Sequence, residues 1–156
     1  MTSRVEERLL GMGMSLPEAS VPPAVYSPAH VHEGRVTVSG QPPYWNGTVR
    51  HFGKLGRELG LEEGMESARI STLNILAHLK RACGGDLDRV VGCVHMLVLV
   101  QATPDFYDIH KVADGASGLI RDVFAPLPPP TRSSLGCASL PLNAATEVEA
   151  SFIISE

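Results

Sequence analysis

Ala145-Thr146-Glu147-Val148-Glu149-Ala150-Ser151-Phe152-Ile153-Ile154 is the stretch whose reading decides the fold. Successive side chains of a strand point to opposite faces, so a period of two sorts these residues into two sets. Val148, Ala150, Phe152 and Ile154 form an apolar set suited to packing beneath helices. Glu147, Glu149, Ser151 and Ile153 form the other, in which carboxylates mix with apolar groups. The run Arg89 to Gln101 carries Val90, Val91, Val94, Val98 and Val100 and is apolar on both faces, as expected of a central strand covered on both sides.

Two helices flank that run. Over residues 62–83, Met65, Ala68, Thr72, Ile75, Leu76, Leu79 and Cys83 recur at steps of three or four, and Gly84-Gly85 supplies the stop. Thr103-Pro104 reads as the N-cap and first turn of a second helix. Its stripe is Val112, Ala116, Leu119, Ile120, Val123 and Phe124, and Pro126 with Pro128 to Pro130 ends it. Arg35 to Gln41 is a short strand, and Asn46-Gly47 suits the positive φ of a tight turn. A further strand or loop runs from Val49 to Gly56, and Ser133 to Leu140 makes a strand before the last one. Residues 1–15 read as a short helical start, and Pro17, Pro22, Pro23 and Pro28 hold residues 16–30 extended. The order β(β)–α–β–α–β–β predicts an α+β fold with two helices on one face of a mixed sheet.

Two helices cover only one face. The second face, left open, would be a large apolar patch, so it is expected to be buried in an oligomer with the acidic positions near a subunit boundary. The pattern alone is equally compatible with Glu147 and Glu149 simply facing water.

The length of 156 residues fits one domain, and 44% hydrophobic with 19% charged residues is enough for a core. A net charge of −4 argues against a phosphate-binding face, and hence against a nucleic-acid partner. Cys83, Cys93 and Cys137 show no paired spacing, which fits a reducing, cytoplasmic setting without disulfides. No apolar run approaches the roughly 18 residues of a membrane span, and Met1 to Leu10 does not read as a signal peptide. His30-Val31-His32 puts two imidazoles on one strand face, but no third ligand at fixed spacing accompanies them, so no metal site is expected. Tyr44 and Trp45 can line a pocket mouth or merely pack the loop. Gly53 to Gly56 is too short for a phosphate loop.

In the strand before the last, Arg132, Ser134 and Gly136 alternate with Ser133, Leu135 and Cys137, so Arg132 and Ser134 look the same way. An arginine there can present a rigid, permanently charged fork to a carboxylate; its plainer reading is a surface ion pair.

Ser39-Gly40-Gln41, Gly84-Gly85-Asp86-Leu87-Asp88-Arg89-Val90-Val91, Thr103-Pro104-Asp105-Phe106, Arg132-Ser133-Ser134, Leu140-Pro141 and Glu147-Val148-Glu149 follow one another in a familiar order and spacing. From about Tyr26 to the C-terminus the chain resembles the RidA/YjgF family of reactive-intermediate imine/enamine deaminases. Gly53-Lys54-Leu55-Gly56, Leu73-Asn74-Ile75-Leu76 and Asn143-Ala144-Ala145 are similar to a YjgF-like subgroup labelled endoribonuclease L-PSP. The resemblance implies one domain over 1–156, with 1–25 as an N-terminal extension. It also implies a chorismate-mutase-like fold and a homotrimer with a central barrel and inter-subunit clefts. The implied activity is hydrolysis of 2-imino acids, formed from enamines, to 2-keto acids and ammonia, without metal or organic cofactor. By the same resemblance Arg132 clamps the carboxylate of a small substrate, Glu147 positions the attacking water and Tyr26 lines the pocket. Ser39, Gly40 and Ser134 are expected at the substrate, Ser134 standing where a cysteine is common.

Two departures bear on the cleft. Pro128-Pro129-Pro130-Thr131 replaces a glycine–basic–histidine segment, and Asp114 stands where the subgroup tends to have asparagine. The alternatives to a deaminase are a non-catalytic trimer that binds small carboxylates, a specialised biosynthetic step, and the nuclease of the subgroup's label. The acidic charge disfavours the nuclease.

Overall fold

The computed structural model describes residues 2–22 and 24–156; Met1 and Pro23, one of the prolines assigned to the extended N-terminal segment, lie outside the described residues. The elements run α1 (Arg4–Gly11), β1 (Ala29–His32), β2 (Arg35–Gln41), β3 (Tyr44–Trp45), β4 (Thr48–Val49), α2 (Leu61–Ala82), β5 (Val90–Gln101), α3 (Ile109–Val123), β6 (Thr131–Cys137) and β7 (Thr146–Ile154). Five strands form a mixed sheet in the order β1-β2-β7-β5-β6, antiparallel except for the parallel pair β5–β6. A connection between parallel neighbours needs a crossover, and α3 supplies it.

The period-two reading of β7 holds. Val148, Ala150, Phe152 and Ile154 are buried, whereas Glu147, Ser151 and Ile153 are half-buried and Glu149 is exposed. Strand β5 is interior to the sheet, but only its helix-side face (Met96, Val98, Val100) is sealed within this chain. Leu97 and Leu99 on the other face remain partly open, so the expectation of cover on both sides is not met by the chain itself.

Helices α2 and α3 pack against this sheet and each other, and a third helix, α1, packs against α3. Helix α1 starts with a capping box between Ser3 and Glu6, and it buries Val5 and Leu9 in the common core. It is tied down by Lys80 to Glu6 at 2.6 Å and by Arg4 to Asp88 at 3.3 Å. Helix α2 is buried on all sides from Ser71 to Leu79, where the sequence suggests a single apolar stripe. Residues around 15–20 lie over its outer side, bringing Ser20 Oγ to 3.4 Å from His78 Nε2. Ser67 and Ser71 share the hydroxyl of Thr146 on β7 at 2.7 and 2.9 Å, and the Asn74 amide donates to the carbonyls of Tyr44 and Ile70, whereas its buried Oδ1 has no partner among the described residues. Helices α2 and α3 approach closely at Gly115, where a Cβ would stand 2.1 Å from the carbonyl oxygen of Met65.

The second major helix begins later than Thr103-Pro104 suggests. Thr103 donates its backbone N–H to Leu55 at 3.0 Å, and Phe106 N–H closes a turn onto Thr103, so this backbone is already committed to the Leu55 segment. Asp108 precedes the first helical residue instead. Strand β6 likewise starts two residues earlier than expected, at Thr131, because it pairs with β5 from His95 onward. The Asn46-Gly47 turn forms as read, with φ of 51° and 79°.

Candidate functional site

The residues singled out above form two groups on different faces of the sheet. The first gathers on β2 and β7. Gly40 lies against Glu147 so closely that a Cβ on residue 40 would stand 2.1 Å from the carboxylate oxygen Oε1. The glycine of Ser-Gly-Gln thus makes the space that Glu147 occupies. Ser39 Oγ donates to the carbonyl of Ser27 at 2.7 Å and its N–H donates to Pro28, which holds the Tyr26 loop against β2. Tyr26, 49% exposed, and Gly40 line one cleft of 410 Å³ together with Pro22, Gln41 and Tyr44. Burial, and then the neighbouring charge of Glu149, push the Glu147 carboxyl above its ordinary range. The Glu147 side chain has no hydrogen-bond partner among the described residues.

Cys137 belongs to this face as well. Its thiol is pushed up by burial and by the charge of Glu147. Composition gives no hint of that neighbourhood; strand parity does, since Cys137 alternates with Arg132 and Ser134. The thiol of Cys93 is pushed up to about 12 by burial, so neither cysteine is activated as a nucleophile.

The second group is on β6. Arg132 lies opposite Met96 and Ser134 opposite Val98, both sealed on the helix side, so Arg132 and Ser134 do point the same way, toward α3. The Arg132 side chain is 21% exposed. Its Nη1 donates to Asp114 Oδ1 at 2.7 Å and to Ser117 Oγ at 2.9 Å, and its Nη2 donates to the carbonyl of His110 at 3.2 Å. These three partners on α3 carry no motif, and only the position of Asp114 stood out in the sequence.

Within one chain the two groups do not converge. Glu147 lies opposite Leu99 on the open face, two strands away from the β6 edge and on the other side of the sheet from Arg132. A site that uses both therefore takes them from two chains. Among the described residues no group of three His, Cys, Asp or Glu side chains is arranged to hold a metal ion, and no helix is long and apolar enough to cross a membrane.

A mixed sheet with helices on one face, an open second face, and a glycine-seated carboxylate beside a loop tyrosine define a class of small α+β proteins. The chain belongs to the family described as "YjgF/chorismate mutase-like, putative endoribonuclease", whose model matches residues 6–151. It is 37% identical over 151 residues to protein TCP17 of Trypanosoma cruzi, covering 96% of this chain and 93% of that one. Among solved structures it is similar to Atu1372 of Agrobacterium tumefaciens, at 33% identity with a TM-score of 0.91, covering 97% of this chain and 94% of that one. A "putative endoribonuclease" from Shewanella oneidensis MR-1 superposes with a TM-score of 0.92 at 29% identity, over 96% and 99% of the two chains. Escherichia coli TdcF, solved with bound serine, shares the fold at 22% identity with a TM-score of 0.62, over 90% and 94%.

Proposed function

We propose that this protein hydrolyses small 2-imino acids, reached from their enamine tautomers, to 2-keto acids and ammonia, in clefts between the subunits of a homotrimer built around a central barrel. The observation that carries the reading is Glu147: a half-buried carboxylate with a raised pKa, seated over Gly40 on a sheet face that its own chain leaves open. The position of Arg132 on the far side of the sheet supports a cleft assembled from two copies.

In this scheme Arg132 of one copy binds the substrate carboxylate through its remaining N–H groups and fixes the imine carbon. Glu147 of the neighbouring copy accepts a proton from water as the water oxygen bonds to that carbon. That proton passes to nitrogen to give the carbinolamine; its hydroxyl proton then also moves to nitrogen as C=O forms and the C–N bond breaks, releasing the 2-keto acid and ammonia. The electrophile is already activated, so placement of the water and the carboxylate accounts for the rate and no cofactor is required. Tyr26 and Ser39 shape the cleft near Gly40, and Ser134 lines the Arg132 side.

A lyase that generates 2-aminoacrylate, coupled to pyruvate detection, tests this. The protein is expected to accelerate imine decay, and Arg132→Ala to lose about a hundredfold of that acceleration. Decay no faster than in buffer, or an unaltered Arg132→Ala, ends the deaminase reading. Binding without turnover is the second reading, a regulatory trimer for small carboxylates, and the engagement of Arg132 by Asp114 is the observation that favours it. A dedicated biosynthetic role would keep the same cleft chemistry on another substrate.

A further inference from the structure

Asp114 changes what the arginine can recognise. On α3, His110, Asp114 and Ser117 fall at i, i+4 and i+7, one stripe of the helix, and that stripe faces β6. Three of the five guanidinium N–H groups are taken by it. One on Nε and one on Nη2 have no partner among the described residues. Asp114 accepts only through Oδ1; its Oδ2 has no partner among the described residues, and its side chain is 61% exposed. Of the cations on α3, Lys111 is paired with Asp108 at 3.1 Å, and Arg121 is paired with Asp122 at 2.8 Å while also feeling the charge of Asp114. The ion pair thus keeps one carboxylate oxygen and two guanidinium N–H groups without partners among the described residues.

From this pairing, and resting on the proposed role of Arg132 as the carboxylate clamp, we infer that Asp114 makes the site selective for α-amino and α-iminium acids over 2-keto acids. A ligand with only a carboxylate meets the negative charge of Asp114. A ligand with a cationic nitrogen on the carbon next to its carboxylate satisfies both side chains, because the two charges are as close in the ligand as Arg132 and Asp114 are in the protein. Asparagine at this position would hold Nη1 through the same acceptor geometry but carry no charge. The selectivity also clears the product: the iminium and water give the keto acid and ammonium, and once the nitrogen has left Asp114 faces a carbonyl oxygen and repels it.

The test is a calorimetric or NMR titration of the full chain with alanine and with pyruvate, which differ in the nitrogen. Alanine is expected to bind at least about tenfold more tightly than pyruvate. Asp114→Asn is expected to shrink that ratio about tenfold, chiefly by strengthening pyruvate. Arg132→Gln is expected to abolish both, with Arg132→Lys as a second variant and thermal melts to confirm folding. A ratio unmoved by Asp114→Asn, or a wild-type preference for pyruvate, overturns the role of Asp114 and leaves the clamp standing if Arg132→Gln still abolishes binding. Dissociation constants unmoved by Arg132→Gln, or no binding of either ligand, overturn the clamp and the inference with it.

Discussion

On the helix side of the sheet Val36, Val38, Met96, Val98, Val100, Val148 and Phe152 are wholly buried, whereas across the sheet Leu97, Leu99 and Ile153 are partly covered and Leu135 is 55% exposed. The first face is finished by the chain's own helices. The second carries comparable apolar side chains but also Glu147 and Glu149, and no helix among the described residues covers it. The contrast teaches that the folding core lies on one face, which also carries the Arg132 ion pair, while the other face is left incomplete within the chain. The helix side pins the strands in register, and the open side holds a carboxylate whose charge is costly without a partner.

The sharpest way to break this contrast is to remove a large side chain from each face. Phe152→Ala deletes the ring that meets Phe124 at a centroid distance of 6.2 Å. It is expected to cost about 3–5 kcal/mol, read as a lowered denaturant midpoint. Leu135→Asp on the other face is expected to leave the far-UV dichroism and the denaturant midpoint of the subunit nearly unchanged. If that face carries the proposed subunit contacts, ultracentrifugation should show assembly weakened by more than about tenfold, since a charge is being buried. A large loss of subunit stability from Leu135→Asp would show that the open face is finished in some other way.

Gly40→Ala probes the carboxylate's seat. The added methyl needs the space of Glu147 Oε1, so the carboxylate must swing away. Imine turnover is expected to fall about tenfold with about 1 kcal/mol of stability, as for a modest overpacking. An active Gly40→Ala variant would detach Glu147 from the mechanism.

Glu147→Gln should have the smallest stability effect, and its sign is informative. The folded-state pKa of Glu147 is raised, so the folded protein binds this proton more tightly than the unfolded chain. The associated stabilisation is full at pH values below the ordinary carboxylate range and is lost as pH rises through the raised pKa. At neutral pH the glutamine variant is therefore expected to melt about a degree or two higher, with the gain vanishing in acid. The side chain is half-exposed and water screens it, which keeps the effect small. Activity should move the opposite way: wild-type turnover is expected to fall as pH drops through the raised pKa, because the protonated carboxyl cannot accept from water.

The sheet was legible in the sequence because its information is local. Alternation sorted β7 correctly, put Arg132 and Ser134 on one side with Cys137 on the other, and exposed the shortage of helices for two faces. The missed start of α3 has a long-range cause, since the backbone of Thr103 is spent on Leu55, some fifty residues earlier in the chain. The wholly buried stretch of α2 has a similar cause: residues around 15–20 cover a face that the helical period marks as open.

By itself, then, the chain determined which side chains share a face, where Asn46-Gly47 turns, and a motif order that resembles one family. Only the tertiary structure decided that Glu147 sits on Gly40, that Arg132 is held by Asp114, Ser117 and His110, and that these two groups face opposite ways. The physical reason is that strand and helix periods are set by bonds between near neighbours. The distance between a carboxylate and an arginine depends on how separate elements stack, and no local period encodes that.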